Sequence, residues 1–387
     1  MKILITGTNS INKGAELMLF AVIKQIEKVY PDAEIFLPYT GFPDGIAHIR
    51  TTCKLQQLPG LWFYKWYKKL KIDCLFRRLH LSQPVFSEQY PIIGIDLVLD
   101  AGGYQFADSF WTCRDWNERW IKFLCSMKEN GSKIVFLPQA FGPFSKHTWD
   151  NVIQVIGEKA NLIFAREKIS QQSFLDLYGE PCRNLYVAPD FTCLLKGASP
   201  PNLSHLRGGI AIIPNIQMTL SSSNSRIQYI NFMTKIISNI REYSHREIFF
   251  LNHEGKRDEL LCQEINERFV IKMPIISGLD AISIKGIISD CFLVISSRFH
   301  GVASALNSGV PCMATSWSHK YDLLYGDYGL NQHILDINQL ANDNQLLKEL
   351  LTEEGNARER NTLRDKIPDI IKNSQMMWKE IWGTVHP

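Results

Sequence analysis

An α/β fold of two doubly wound, mostly parallel sheets is predicted by three features of the sequence. Short apolar runs of four or five residues alternate with longer helical stretches. The alternation occurs twice, in separate halves of the chain. Between the halves lies Lys-Gly-Ala-Ser-Pro-Pro-Asn at 196–202, rich in turn formers and without apolar periodicity, which reads as a linker. A length of 387 residues suffices for two domains with a core each.

In the first series the strands fall near residues 2–6, 34–37, 97–100, 133–137 and 162–165, with helices over 15–29, 115–129 and 169–178. In the second they fall near 209–213, 248–251, 270–272, 292–296 and 312–315, with helices over 227–243, 258–267, 281–288 and 302–308. The expected domains are therefore 1–196 and 203–338. A tail at 339–387, helical except around Gly355 and Pro368, is expected to pack back across the first domain. Open parallel sheets bind ligands beyond the carboxyl ends of their strands, so the expected site is a cleft that the two domains face.

Composition removes several classes of function. With 42 basic and 39 acidic side chains the net charge of +3 leaves no chain-wide footprint for nucleic acid. A mean hydropathy of −0.11 and the absence of an 18-residue apolar run argue against a membrane span. The apolar run after Met1 is too short for a signal peptide, which points to a cytoplasmic protein. Nine cysteines, widely spaced and never in a Cys-x-x-Cys pair, suit reduced thiols better than disulfides or a zinc site. No Gly-x-Gly-x-x-Gly or P-loop is present, which counts against NAD and ATP.

The most informative segment is Val294-Ile-Ser-Ser-Arg-Phe-His-Gly-Val-Ala-Ser-Ala-Leu-Asn-Ser-Gly-Val-Pro311. A strand runs into Ser296 and Ser297, and a helix opens around His300 and Gly301. Arg298 and His300 thus sit at a strand end and a helix N-terminus, where unpaired N–H groups and the helix dipole favour an anion. Arginine adds a fork suited to carboxylate or phosphate. Taken singly, each residue has a plainer reading: Arg298 paired with a nearby carboxylate, His300 a satisfied core residue. Gly7, Gly14, Gly102 and Gly103 let a ligand approach the backbone, or simply make tight turns.

Ser-Arg-Phe-His-Gly, with Ala305-Leu-x-x-Gly-Val-Pro behind it and Lys320 further on, resembles the carboxyl-terminal signature of the polysaccharide pyruvyl transferase family. Five earlier segments agree in order. They are Asn12-Lys-Gly-Ala-Glu16, the Gly102-Gly103 loop with Asp108, Gln139-Ala-Phe-Gly-Pro-Phe144, Ala165-Arg166-Glu167 with Ser170, and Pro189-Asp190. Ala15 departs from the pattern, which usually has Asp there, and leaves the role of Glu16 open.

The resemblance implies a GT-B-like pair of Rossmann-like domains, the first binding the acceptor and the second the donor. It also implies transfer of pyruvate from phosphoenolpyruvate onto two hydroxyls of a saccharide as a cyclic ketal, without metal or cofactor. Such a donor carries a carboxylate and a phosphate, so its site must supply fixed cations and N–H donors. Arg166, Arg298, His300 and Lys320 are the expected donor ligands. His300, which can exchange a proton near neutral pH, is the expected catalytic acid/base. Asn12, Glu16, Gly102, Gly103, Asp108 and Gln139 are the expected acceptor side. Plainer readings stand for Arg166, as a partner of Glu167 or Asp190, and for Lys320 as a solvated lysine.

Residues 62–80 hold six aromatics and six Lys or Arg against one Asp. That composition fits peripheral attachment to an anionic membrane, near a lipid-linked or nucleotide-linked acceptor. It fits equally an amphipathic helix whose aromatics pack on the first domain. Two rival functions remain at this point: a nucleotide-sugar-dependent glycosyltransferase or epimerase of the same architecture, and a non-catalytic sugar-binding relative.

Overall fold

The computed structural model describes residues 1–38, 41–42, 44–58, 69–70, 94–108, 114–145, 149–220, 223–315, 320–337 and 340–385. The chain divides into two compact units. The first comprises Met1–Ile11, Met18–Phe191 and Asn373–Pro387; the second comprises Asn12–Leu17 and Thr192–Lys372.

The first unit is built on seven parallel strands: β1 (Lys2–Thr6), β2 (Glu34–Leu37), β3 (Lys54–Gln57), β4 (Leu97–Asp100), β5 (Lys133–Gln139), β6 (Leu162–Ala165) and β7 (Leu185–Val187). Their order is β3-β2-β1-β4-β5-β6-β7, so the sheet grows outward in both directions from the β1/β4 pair. Helices α1 (Lys13–Val29), α2 (Arg114–Glu129), α3 (Asp150–Lys159) and α4 (Lys168–Tyr178) connect these strands. One core layer joins Leu4, Val98, Ile134, Phe136 and Ile163 from the sheet to Leu124, Val152, Ile153, Ile156 and Phe174 from the helices.

The second unit repeats the plan with β8 (Ile210–Ile213), β9 (Ile248–Leu251), β10 (Ile275–Ile276), β11 (Leu293–Ser296), β12 (Cys312–Thr315) and β13 (Ile334–Leu335). They are ordered β10-β9-β8-β11-β12-β13. Its helices are α5 (Ser223–Tyr243), α6 (Gly255–Asn266), α7 (Ala281–Ser289), α8 (Phe299–Asn307), α9 (Lys320–Tyr328) and α10 (Leu340–Leu351). Alternate strand residues serve two separate cores, because a strand turns successive side chains to opposite faces. Ile210, Ile212, Phe250, Leu293, Ile295 and Met313 pack with α5 and α6. Ala211, Ile213, Phe249, Leu251, Val294 and Ala314 pack with α7, α8 and α9. Burial on both faces explains why these strands read as unbroken apolar runs.

Several expected boundaries move. The expected strand at 270–272 does not form: Val270 and Ile271 are 100% and 74% exposed, and the edge strand forms later, at Ile275–Ile276. Strands β3, β7 and β13 are edge or next-to-edge elements too short to show a period. The final helix, α11 (Glu353–Val385), runs through both Gly355 and Pro368. Buried Leu363 before the proline and Trp378 and Ile381 after it anchor the two stretches, so packing overrides a breaker. Its last residues, Asn373–Pro387, group with the first unit. The expected linker at 196–202 belongs to the second unit and is tightly held: Ala198 N donates to Ile282 O at 3.1 Å, and Gly197 lies against the backbone of Gly286 with no room for a Cβ. Residues 62–80 lie outside the described residues apart from Lys69 and Leu70.

Candidate active site

In each unit some of the expected site residues lie where the strand order reverses, and others, Gln139, Arg166 and Lys320, lie at or beyond the ends of neighbouring strands. The reversal point opens a crevice beyond the carboxyl ends of the strands. In the second unit it lies between β8 and β11.

Strand β11 ends in Ser296 and Ser297, and the turn after it is held by buried hydroxyls. Ser296 Oγ accepts from Arg298 N at 3.1 Å and bonds Arg298 O at 3.0 Å. Ser297 Oγ meets Tyr229 Oη at 2.6 Å and Thr315 Oγ1 at 2.5 Å. Its carbonyl accepts from Asn215 Nδ2 at 2.9 Å and Tyr321 Oη at 2.7 Å. Satisfied buried networks of this kind fix a turn in one conformation. Arg298 is then the N-cap residue of α8. His300 lies in the helix's first turn, where backbone amides lack intrahelical partners.

Arg298 is only 9% exposed. Its Nε donates to Asp258 Oδ2 at 2.7 Å, Nη2 approaches the same oxygen at 2.5 Å, and Nη1 meets Glu254. Burial lowers the guanidinium to about 10, so it is charged at neutral pH. Asp258, wholly buried in the first turn of α6, also accepts from Ile216 N at 3.0 Å. Burial pushes its carboxyl up to about 7, against the pull of the Ile216 N–H and Arg257. The guanidinium clamped on it favours the carboxylate form. The plainer reading of Arg298, an ion pair, is thus present, and both partners come from the β9 side.

The same unit receives the first turn of α1. Asn12 caps that helix, its Oδ1 accepting from Gly14 N at 2.8 Å and Ala15 N at 3.3 Å. Gly14 lies flat against the His300 imidazole, where any Cβ would run into Nδ1. Glu16 is 1% exposed; its Oε2 accepts from Lys13 Nζ at 2.8 Å and from Ala281 N, the first amide of α7, at 3.0 Å. A carboxylate at a helix N-terminus is stabilised there. Lys320 opens α9 and is half-buried, with Nζ 5.4 Å from the Phe299 ring centre.

His253, just beyond β9, completes the group. It is 4% exposed, and among the described residues its Nδ1 has no hydrogen-bond partner. Burial, together with the positive charges of Arg298, His300 and Lys13, holds it well below the ordinary histidine range, so it is neutral at pH 7. His253, Glu254, Asp258 and Lys13 were not anticipated from the sequence. The signal was available: Asn252-His253-Glu254-Gly255 follows an apolar strand and opens a helix, as Ser297-Arg298-Phe299-His300 does.

In the first unit the reversal lies between β1 and β4. Asp100 ends β4 fully buried and accepts from Thr6 Oγ1 (2.8 Å), Gly102 N (3.2 Å), Gln105 Nε2 (2.6 Å) and Gln139 Nε2 (2.8 Å). Burial raises its carboxyl, and the four donors work against that rise. This carboxylate shapes the Gly102-Gly103 turn. Gly7, at φ +75°, leaves no room for a Cβ against Gly102. Gly103, at φ +65°, presents its carbonyl to Arg166 Nη2 at 3.1 Å. Arg166 is 9% exposed and lies 3.9 Å from Asp190 Oδ2. Gln139 is completely buried and spends its amide on Asp100. Asp108 Oδ2 accepts from Ser145 N at 2.5 Å and from Ser145 Oγ.

Asn12, Glu16, Arg298, His300 and Lys320 thus fall in the second unit, and Gly102, Gly103, Asp108, Gln139 and Arg166 in the first. Among the described residues no group of three or more His, Cys, Asp or Glu is placed to hold a metal ion. Among them, too, no helix is long and apolar enough to cross a membrane.

A family model described as polysaccharide pyruvyl transferase matches residues 12–319, the span that holds every residue of both groups except Lys320, which directly follows it. The chain belongs to that family. A curated relative, the amylovoran biosynthesis protein AmsJ of Erwinia amylovora, is 20% identical over 390 residues, covering 90% of this chain and 91% of AmsJ. Among solved structures, the UDP-GlcNAc 2-epimerase of Methanocaldococcus jannaschii matches with a TM-score of 0.57 at 12% identity, over 92% of this chain and 94% of the epimerase. WaaG, a glycosyltransferase involved in lipopolysaccharide biosynthesis, matches with a TM-score of 0.54 at 11% identity, over 98% and 99% of the two chains. These neighbours establish for this pyruvyl transferase family member a GT-B-like fold of two Rossmann-like sheets.

Proposed function

We propose that the protein is a ketal pyruvyltransferase that moves pyruvate from phosphoenolpyruvate onto two hydroxyls of one saccharide during surface-polysaccharide assembly, working in the cytoplasm. The observation that carries this reading is the second unit's strand-end group: a fixed guanidinium, a helix N-terminus and two histidines around one turn. Cations and amides suit a ligand bearing both carboxylate and phosphate. Family membership and the relation to an amylovoran biosynthesis protein support the saccharide context.

In this reading Arg298, Lys320 and the first turn of α8 bind the donor, and His300 moves the proton. C3 of the enol takes a proton, C2 becomes oxocarbenium-like, and one sugar hydroxyl attacks as the C2–O bond to phosphate breaks. A second hydroxyl closes the ring. Of the two hydroxyl protons one balances that added to C3 and the other leaves with phosphate. His300 either protonates C3 or protonates the departing phosphate. On the first unit, Arg166 is proposed to meet ligand negative charge. The Gly102-Gly103 turn and Asp108 are proposed for the sugar, with Gln139 acting through Asp100 to hold that turn. Asn12 and Glu16 support His300 from the α1 turn and α7.

The test pairs binding with turnover. Wild-type protein is expected to bind phosphoenolpyruvate in calorimetry. His300→Gln is expected to retain that affinity within about tenfold while turnover falls by roughly 10² to 10⁴. A protein indifferent to phosphoenolpyruvate that binds UDP-sugars would instead support the nucleotide-sugar reading, and unchanged turnover in the variant would falsify the role of His300.

A further inference from the structure

The two carboxylates on Arg298 differ in a way that a purely structural ion pair does not require. Asp258 is wholly buried, takes both the Nε and Nη2 edges of the guanidinium, and is fixed a second time by Ile216 N. Glu254 reaches only Nη1, and its side chain is 27% exposed. It occupies the N-cap position of α6 in extended conformation (φ −152°, ψ 98°), yet makes no side-chain bond to that helix. One partner is built in and the other is held by a single nitrogen at the edge of solvent. An arginine fork offers its free edge to any carboxylate or phosphate of matching geometry. A carboxylate already at the edge of solvent loses little when such a ligand replaces it, because water solvates it on release.

We propose that Glu254 is a stand-in carboxylate that yields the Nη1 edge of Arg298 to the anionic group of the donor, while Asp258 is the fixed carboxylate that aims the guanidinium. This rests on the donor assignment above and adds its control: the strength of donor binding is set by an exchange of carboxylates at one guanidinium. Nothing covalent changes, and the charge at Arg298 stays balanced before and after.

The inference makes opposite forecasts for two carboxylates on one arginine. Glu254→Gln removes the competitor and is expected to tighten phosphoenolpyruvate binding about fivefold, with the melting temperature lowered less than by Asp258→Asn, because Asp258 keeps the guanidinium paired. Asp258→Asn is expected to weaken binding and lower the melting temperature, because the guanidinium loses its aim. Both variants and wild type are titrated with phosphoenolpyruvate, inorganic phosphate and UDP. If Glu254→Gln binds phosphoenolpyruvate no more tightly than wild type does, the exchange is wrong and the donor assignment survives. If phosphoenolpyruvate binds neither protein but phosphate or UDP binds more tightly to Glu254→Gln, the exchange stands and the donor assignment falls. If no anion binds either protein, both are overturned.

Discussion

His253 shows how a single side chain can link the candidate site to stability. Its imidazole is buried beside Arg298, His300 and Lys13 and refuses a proton at neutral pH, whereas in an unfolded chain it would titrate near 6.5. Above that value both states carry a neutral ring, and stability does not depend on this group. Below it the unfolded chain binds a proton that the folded protein does not. Stability therefore falls with pH, by up to about 1.4 kcal/mol per unit for one proton. Urea unfolding of wild type and His253→Gln from pH 8 to 5 checks this. The difference between the two curves cancels the other groups, Asp258 among them. It is expected to be flat above about 6.5 and to slope below it; parallel curves throughout would exclude the assignment. His253 shares the local strand-end and helix-start signal of Arg298 and His300, but the charged neighbours that give it a role, Arg298, His300 and Lys13, come from segments far away in sequence. Arg298 and His300 were legible because strand end, basic residue and helix start occupy one short run. Their partners Asp258 and Glu254 are contributed by the start of α6 and Gly14 by α1, which no local reading brings together.

At the level of elements, the first turn of α1 and the start of α8 depend on one another. Gly14 is a glycine because His300 occupies the volume of its Cβ, and its amide is needed by the Asn12 cap. Gly14→Ala raises helix propensity, which would by itself favour the variant by up to about 1 kcal/mol. The added methyl must nonetheless displace the imidazole. Turnover is therefore expected to drop by at least about tenfold, while the melting temperature changes by only a few degrees. Steady-state rates and thermal unfolding on one preparation suffice, and a fully active variant would show that His300 has freedom the packing denies it. The same dependence on packing explains which elements were readable. Double-sided burial made β1, β4, β5, β8, β9 and β11 plain as apolar runs. Edge strands β3, β7 and β13, and a final helix that carries Gly355 and Pro368 without breaking, are decided by what they rest on and escape a local pattern.

For the molecule as a whole, two sheets of the same strand order place chemically different groups at their reversal points: glycine turns organised by a buried carboxylate in the first unit, an arginine and two histidines in the second. The shared fold also serves epimerases and glycosyltransferases, so the fold alone does not choose the donor; the charged groups at the strand ends do. The most direct measurement is therefore chemical. Incubating the protein with phosphoenolpyruvate and a panel of nucleotide-linked and lipid-linked sugars, with product mass and released phosphate followed together, is expected to give one saccharide heavier by pyruvate less water and one phosphate per ketal. Sugar products formed from UDP-sugars alone, with phosphoenolpyruvate left intact, would contradict the account.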